Sequence, residues 1–216
     1  MNQLSKTLPF ILLIAAFTVS FIAPVAASAP AQSPYETLAR GNTAFAVQLY
    51  RELGSQEGNI FFSPYSISSA LGMTYAGARG KTAKEMAGVL HFDLSQAELH
   101  SAFKNLNEEL STTAQKTGQK LNIANALALT RGNVSDEFKS LLRVNYSAEI
   151  FAGGLNVIND WVKRKTEGKI EKILEQLSPN SVCVLLNAIY FKGVWKSRFE
   201  KASTHDAFFN ISPDKK

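Results

Sequence analysis

One apolar run near the carboxyl end constrains the fold more than any other segment. From Val182 to Trp195 the even and the odd positions are both apolar, whereas a strand with one solvated face would alternate apolar with polar residues. The run therefore predicts a strand that lies inside a sheet and is covered on both faces. Asn187 stands in the middle of one apolar face. Because a buried amide without a partner costs about 1–3 kcal/mol, the sequence predicts specific hydrogen-bond partners for this side chain.

The composition is that of an ordinary globular protein, with 45% hydrophobic and 19% charged residues in 216. It excludes collagen-like, coiled-coil and wholly disordered chains. The net charge of +5 is spread along the chain, which argues against nucleic acid as a partner. A single cysteine, Cys183, excludes an internal disulfide. Since no second cysteine or histidine cluster accompanies it, no structural metal site is expected.

Residues 1–27 have the pattern of a secretory signal peptide. Lys6 supplies the positive charge, Leu8 to Val25 are almost wholly apolar, and Ala27 ends a stretch of small residues suited to cleavage. The alternative is a retained membrane anchor, because the apolar run approaches the ~20 residues that span a bilayer. The prolines within and behind the run favour cleavage.

We therefore expect a secreted protein that has no membrane contact after cleavage. In a bacterial host its location would be the periplasm or the cell exterior. Residues 28–34 are expected to form a flexible leader, and residues 35–216 a single domain.

Hydrophobic periodicity predicts that this domain is α+β, because helical and strand patterns are mixed along it. Large and small side chains alternate over 121–129, which predicts a strand whose small face lies close to something bulky. Two capping boxes, Thr82 with Glu85 and Ser95 with Glu98, predict helix starts. The other predicted helices cover 42–53, 65–78, 135–142 and 158–166, and the other strands cover 59–62, 148–151 and 182–195.

No catalytic constellation is present, and we expect that the protein is not an enzyme. Gly80-Lys81-Thr82 resembles the end of a phosphate-binding loop, but the first glycine of that motif would fall at Tyr75. A turn followed by a helix explains the same residues. The histidines at 91, 100 and 205 are expected to be surface or packing residues, and Cys183 a core residue. The basic run over 163–172 could attract polyanions, but its helical spacing and interleaved glutamates favour a solvated face.

Three sequons for N-linked glycosylation begin at Asn133, Asn145 and Asn210. Such tripeptides also arise by chance. The sequence alone leaves their use and their disuse equally open.

Three segments, in this order and with this spacing, resemble the serpin family of protease inhibitors. The resemblance covers about Tyr35 to Lys216 and implies an incomplete serpin fold, with the amino-terminal helices and part of the central sheet. The segments are NIFFSPYSISSALGMTYAGARGKTAKEM from Asn59, INDWVKRKTEGKI from Ile158 and VCVLLNAIYFKGVWKSRFE from Val182.

The resemblance implies a suicide substrate that requires no cofactor. Its partner is a serine endopeptidase, or in some members a cysteine endopeptidase, which cleaves an exposed reactive loop. The loop then inserts into the central sheet and carries the acylated protease to the opposite pole. Ser63, Ser66 and Asn187 match the shutter, where the sheet parts, and Trp195 matches the breach, where insertion begins. The two hydroxyls would be partners for Asn187, with backbone groups as the alternative.

In complete serpins the reactive loop lies well beyond the position that corresponds to Lys216. The resemblance therefore predicts that residues 1–216 contain no reactive bond and have no inhibitory activity as they stand. It also predicts an open edge on the 182–195 strand. The alternative is a non-inhibitory secreted protein that binds a partner through this open edge.

Overall fold

The computed structural model describes residues 33–55 and 58–208. Their arrangement is α+β, as predicted. In chain order the elements are α1 (Pro34–Leu53), α2 (Pro64–Gly77), α3 (Gly80–Leu90), α4 (Gln96–Lys116), β1 (Lys120–Leu129), α5 (Asp136–Tyr146), β2 (Glu149–Ala152), α6 (Leu155–Lys165), β3 (Cys183–Lys192) and a 3-10 turn (Lys201–Ser203).

The strands form one sheet in the order β2-β1-β3. β1 runs parallel to β2 and antiparallel to β3, with Asn125 directly opposite Asn187. Among the described residues β3 is therefore an edge strand. The predicted strand is confirmed, but its interior position is not seen here, and β3 ends at Lys192 rather than at Trp195.

The two faces of the sheet are covered by different helices. Large residues of β1, such as Leu127, belong to the main core, which includes Met73 of α2 and Phe103 of α4. On the opposite face Ala124, Ala126 and Ala128 pack in a second cluster with Trp161, whose side chain is 1% exposed. The bulky neighbour predicted for the small face of β1 is this tryptophan on α6.

Local capping signals set several helix starts. Ser95 and Glu98 form the predicted reciprocal capping box at α4, and the hydroxyl of Ser135 accepts a hydrogen bond at the start of α5, also as predicted. The predicted box at Thr82 is wrong. α3 instead begins at Gly80 after Arg79, with no side-chain cap.

The first helix is longer than the sequence predicted. α1 begins at Pro34, and Ser33 forms a capping box with Glu36. Ser33 and Pro34 therefore belong to the helix start and not to the expected flexible leader over 28–34. The rest of that leader and the expected signal peptide lie outside the described residues.

The predicted strand over 59–62 is wrong. These four residues have no regular secondary structure, and the side chain of Phe61 is fully exposed. A β-strand needs a hydrogen-bonded neighbour, and no described strand pairs with this segment.

Close packing at Gly72 of α2 provides a test of the core. A methyl group there would lie 2.9 Å from the Tyr146 hydroxyl and 3.0 Å from Phe103 Cε2. We expect Gly72→Ala to lower the free energy of unfolding by about 1–3 kcal/mol, as overpacking does. Gly88→Ala in α3 is the matched control, because the added methyl group would have no atom within 4 Å outside its own helix backbone and chain neighbours. It should stabilise by up to about 1 kcal/mol. Urea unfolding followed by circular dichroism measures both, and equal effects would contradict the packing described.

Candidate functional site

A cavity of about 950 Å³ lies along the open edge of β3. It brings together Ser63 and Ser66 at the start of α2 with Asn187 of β3, so the three expected shutter residues share one cavity. We call Ser63, Ser66, Asn187 and Asn125 the sheet-edge cluster. Asn125 does not line the cavity but is bonded to Asn187 from β1. The remaining lining residues are Phe61, Thr166, Lys169, Ile170, Ala188, Ile189, Tyr190, Phe191 and Lys192.

Asn187 is held by an amide of the neighbouring strand. Its Nδ2 donates to Asn125 Oδ1 over 2.8 Å, while its own Oδ1 is buried and has no hydrogen-bond partner. The serine hydroxyls that the sequence suggested as partners are not bonded to it among the described residues. Ser63 Oγ instead accepts the backbone N–H of Ser66, as the N-cap of α2. Asn187 therefore retains one unsatisfied buried acceptor beside the cavity.

Asn125 links this site to the core. Its Oδ1 also lies 3.5 Å from the donating hydroxyl of Ser69, and its Nδ2 donates to the backbone carbonyl of Tyr146 over 2.9 Å. The Tyr146 hydroxyl is in turn hydrogen-bonded to His100 Nδ1 at 2.8 Å. A chain of polar contacts thus runs from α4 through α5 and β1 to β3.

Sequence reasoning missed Asn125, although a signal was present. It occupies a position on the large-residue face of β1, between Ile123 and Leu127, where every other residue is apolar. An amide at such a position requires a partner for the same reason as Asn187 does. The two exceptions to the apolar pattern meet across the sheet in one hydrogen bond.

His100 is buried, with a side chain 3% exposed. Burial lowers the pKa of its imidazole to about 4, and the nearby positive charge of Arg79 contributes. Its Nε2 has no partner, so a proton added there would be buried without compensation. The neutral ring is therefore a packing residue, as expected for this histidine.

Trp195, the expected breach residue, lies in the segment after β3 and is 71% exposed. Its ring packs edge-to-face against Phe199, with ring centroids 5.6 Å apart. It lines a separate cavity with Gln119 and Phe191. Trp195 is thus displaced from the sheet-edge cluster, near the Lys192 end of β3.

Polar contacts in its carboxyl-terminal half hold α6 against the sheet. Trp161 Nε1 donates to Glu149 Oε2 over 2.9 Å, and Lys165 forms an ion pair with the same carboxylate. Burial alone would raise the pKa of Glu149, but the hydrogen bonds from Lys165 and Trp161 outweigh burial and lower it. The backbone carbonyl of the same lysine accepts a hydrogen bond from Asn122 Nδ2 of β1. These contacts join α6 to β1 and β2.

The other candidate sites have ordinary structural surroundings. Lys81 pairs with Glu85 on the surface of α3 at 3.4 Å, which suits a helix rather than a phosphate loop. His91 ends α3, and His205 is exposed. Cys183 is only half-buried, so it is less enclosed than expected of a core residue. The basic run is exposed except for Lys165, as predicted for a solvated face.

Two of the three sequons lie in the described part of the chain. Asn133 is exposed in the connection between β1 and α5, and Asn145 is half-buried in the last turn of α5. Asn210 lies outside the described residues.

Residues 33–55 and 58–208 contain neither a cluster of potential metal ligands nor a membrane-spanning helix. No group of three or more histidine, cysteine and acidic side chains there is placed to hold a metal ion. No helix in this part of the chain is long and apolar enough to span a membrane.

Comparison with known proteins defines the class. The family model of serpins, serine protease inhibitors, matches residues 40–216. Iripin-2 from Ixodes ricinus is 42% identical over 188 residues, which cover 80% of this chain and 47% of that protein. Leukocyte elastase inhibitor A from Mus musculus is 40% identical over 190 residues, or 82% and 49% of the two chains.

The fold leads to the same family. The structure of reactive-loop-cleaved human thyroxine-binding globulin superimposes with a TM-score of 0.76 at 30% identity, covering 84% of this chain and 57% of that one. The chain belongs to the serpin family. It spans about half the length of the curated relatives it matches.

The Asn125–Asn187 pair predicts a destabilised variant. Asn125→Ala would leave Asn187 Nδ2 and the Tyr146 carbonyl without partners, so we expect the free energy of unfolding to fall by about 1–3 kcal/mol. Asn105→Ala, at an exposed position of α4, is the control and should change it by less than about 0.5 kcal/mol. Denaturant unfolding measures both. An Asn125→Ala protein as stable as the control would show that the amide pair contributes nothing.

The buried His100 predicts a pH dependence. Between its folded pKa of about 4 and its ordinary value of 6.5, the unfolded chain binds more protons than the folded one. Stability should therefore decrease as the pH falls through this window, by up to about 3 kcal/mol in total. We expect His100→Gln to flatten the unfolding free energy against pH relative to wild type, and Asn105→Gln, at an exposed position that does not titrate, to leave the profile unchanged. Identical profiles for all three proteins would rule out the assignment.

Proposed function

We propose that this serpin acts as an inhibitor of serine endopeptidases, and not as an enzyme, through a suicide-substrate mechanism. Cysteine endopeptidases are a second class of target. In the proposed mechanism a reactive loop is cleaved, and its new end inserts as a strand beside β3. We further propose that residues 1–216 contain the framework but not the reactive bond, and that they are inactive as an inhibitor on their own.

The observation that carries this proposal is the state of the β3 edge. On one side β3 is fully paired with β1 over Lys120–Leu129, whereas no described strand pairs with its other side. The cavity beside Asn187 is bounded by α2 on one face of the sheet and by the turn at Thr166 and Ile170 beyond α6 on the other. An edge enclosed in this way is suited to one added strand.

We assign the shutter role to Ser63, Ser66 and Asn187, with Asn125 as a fourth member. Opening of the sheet beside β3 requires that polar groups exchange partners without a large energetic penalty. The unsatisfied Oδ1 of Asn187 and the hydroxyl of Ser66 provide an acceptor and a donor at the cavity. Trp195, exposed beyond the end of β3, is assigned to the breach.

Residues 1–27 are proposed to be a cleaved signal peptide, which would place the mature protein outside the cytoplasm. The pattern of Lys6 and the apolar residues behind it supports this location. Proteases in the same compartment would be the targets.

A second candidate is a secreted protein that does not inhibit proteases and instead binds an extended segment of a partner through β3. The same open edge favours it, because backbone donors and acceptors on an edge strand pair with any extended chain of suitable shape. The two functions differ in whether a covalent bond to a protease is formed.

Covalent trapping separates these functions. We expect the 216-residue protein to form no SDS-resistant complex with trypsin-like, elastase-like or subtilisin-like proteases. The product of a reading frame that continues beyond Lys216 should form such a complex with at least one of them. Proteases whose catalytic serine has been blocked are the control and should form none, because the complex requires an acyl bond. A complex with the 216-residue protein, a longer product that forms none, or an in-frame stop codon after Lys216 would each contradict the proposal.

A further inference from the structure

We propose that Asn133 carries an N-linked glycan in the folded protein and that Asn145 does not. The inference rests on the proposed secretion, since the modification requires entry into a secretory compartment. The co-reactant is an oligosaccharide carried on a lipid pyrophosphate. Asn133 Nδ2 loses a proton and forms a bond to the anomeric carbon of the first sugar, while the bond between that carbon and the pyrophosphate oxygen breaks and the lipid pyrophosphate leaves.

Asn133 meets the requirements of an acceptor. It lies in the exposed connection between β1 and α5, next to Gly132, whose φ of +65° marks a turn. Its Oδ1 accepts the N–H of Val134 over 3.0 Å, and none of the described residues accepts a hydrogen bond from its Nδ2. A glycan on this nitrogen therefore breaks no protein contact.

The connection is also held in place, so the exposure of Asn133 does not depend on a loose segment. The backbone N–H groups of Thr130 and Arg131 both donate to the Val182 carbonyl at 3.0 Å. On the other side of the sequon, Ser135 caps α5 by accepting the N–H of Phe138 over 3.2 Å. Both ends of the turn are thus anchored, and the modified position projects from a fixed part of the surface.

Asn145 is placed differently although its tripeptide has the same form. Its Nδ2 donates to the Leu141 carbonyl over 3.1 Å within α5. The next residue of the sequon, Tyr146, is 1% exposed and is bonded to His100. A sugar on Asn145 would leave this half-buried nitrogen a single N–H, and the sugar would have to fit beside the Leu141 carbonyl and the anchored Tyr146.

The position of Asn133 is compatible with the proposed function. It does not line the cavity of the sheet-edge cluster. A glycan there would be attached outside the cavity beside Asn187.

The experiment is cell-free translation of the full chain with endoplasmic-reticulum microsomes. All proteins carry Asn210→Gln, so that the sequon outside the described residues does not contribute. We compare this background with the added substitution Asn133→Gln or Asn145→Gln. The expected result is one endoglycosidase-sensitive increase in mass in the protease-protected chain, lost completely with Asn133→Gln and retained with Asn145→Gln.

Two arms separate this inference from the proposed secretion. In one arm the chain keeps residues 1–27, and in the other these are replaced by the leader of a known secreted protein. Protection from added protease only in the second arm would refute the proposed signal peptide and still test the glycan. A translocated chain without a glycan overturns the inference, and so does a glycan lost with Asn145→Gln. Peptide mass spectrometry of the chain with both asparagines intact reads the two occupancies directly, without reliance on either variant.

Discussion

The hydrogen bond between Asn125 and Asn187 is the constraint on which the rest of the sheet depends. On an otherwise apolar face, Asn187 Nδ2 donates to Asn125 Oδ1. This bond forms only when β1 and β3 are aligned in the observed register. A slip of β3 by one residue would turn Asn187 to the opposite face, against the alanines and Trp161, and would separate it from Asn125. The amide pair therefore selects the register that also gives both faces their proper packing.

This register decides what can lie on each side of the sheet. The large side chains face α2 and the main core, and the alanines form a shallow surface over which Trp161 fits. Glu149 then holds α6 through Trp161 and Lys165. Since β3 pairs only with β1 among the described strands, its other edge is left beside the cavity. In a serpin this is the edge at which, in the mechanism proposed above, a strand is added.

Much of the fold could be predicted because its signals are local. Serine caps at Ser95 and Ser135 act within three residues, and the alternation of β1 is a property of the strand itself. The errors have non-local causes. α1 continues through Gly41, although glycine is a weak helix former. Glycine is needed at this position because a Cβ atom there would lie 2.2 Å from the His91 carbonyl oxygen. The close approach of two helices, rather than a helix end, explains that glycine. Segment 59–62 has strand-like residues but no described strand to pair with.

The sequence by itself determined the family, the helix caps at Ser95 and Ser135, the two-faced pattern of β1 and the need of Asn187 for a partner. Each of these is a matter of residue type and short-range spacing, which a chain carries whether or not it is folded. The tertiary structure decided which partner Asn187 takes, because Asn125 is 62 residues away in the chain and only strand pairing brings the two together. It also set Asn133 apart from Asn145, because two tripeptides of the same N-x-S form are buried and hydrogen-bonded differently in the folded chain.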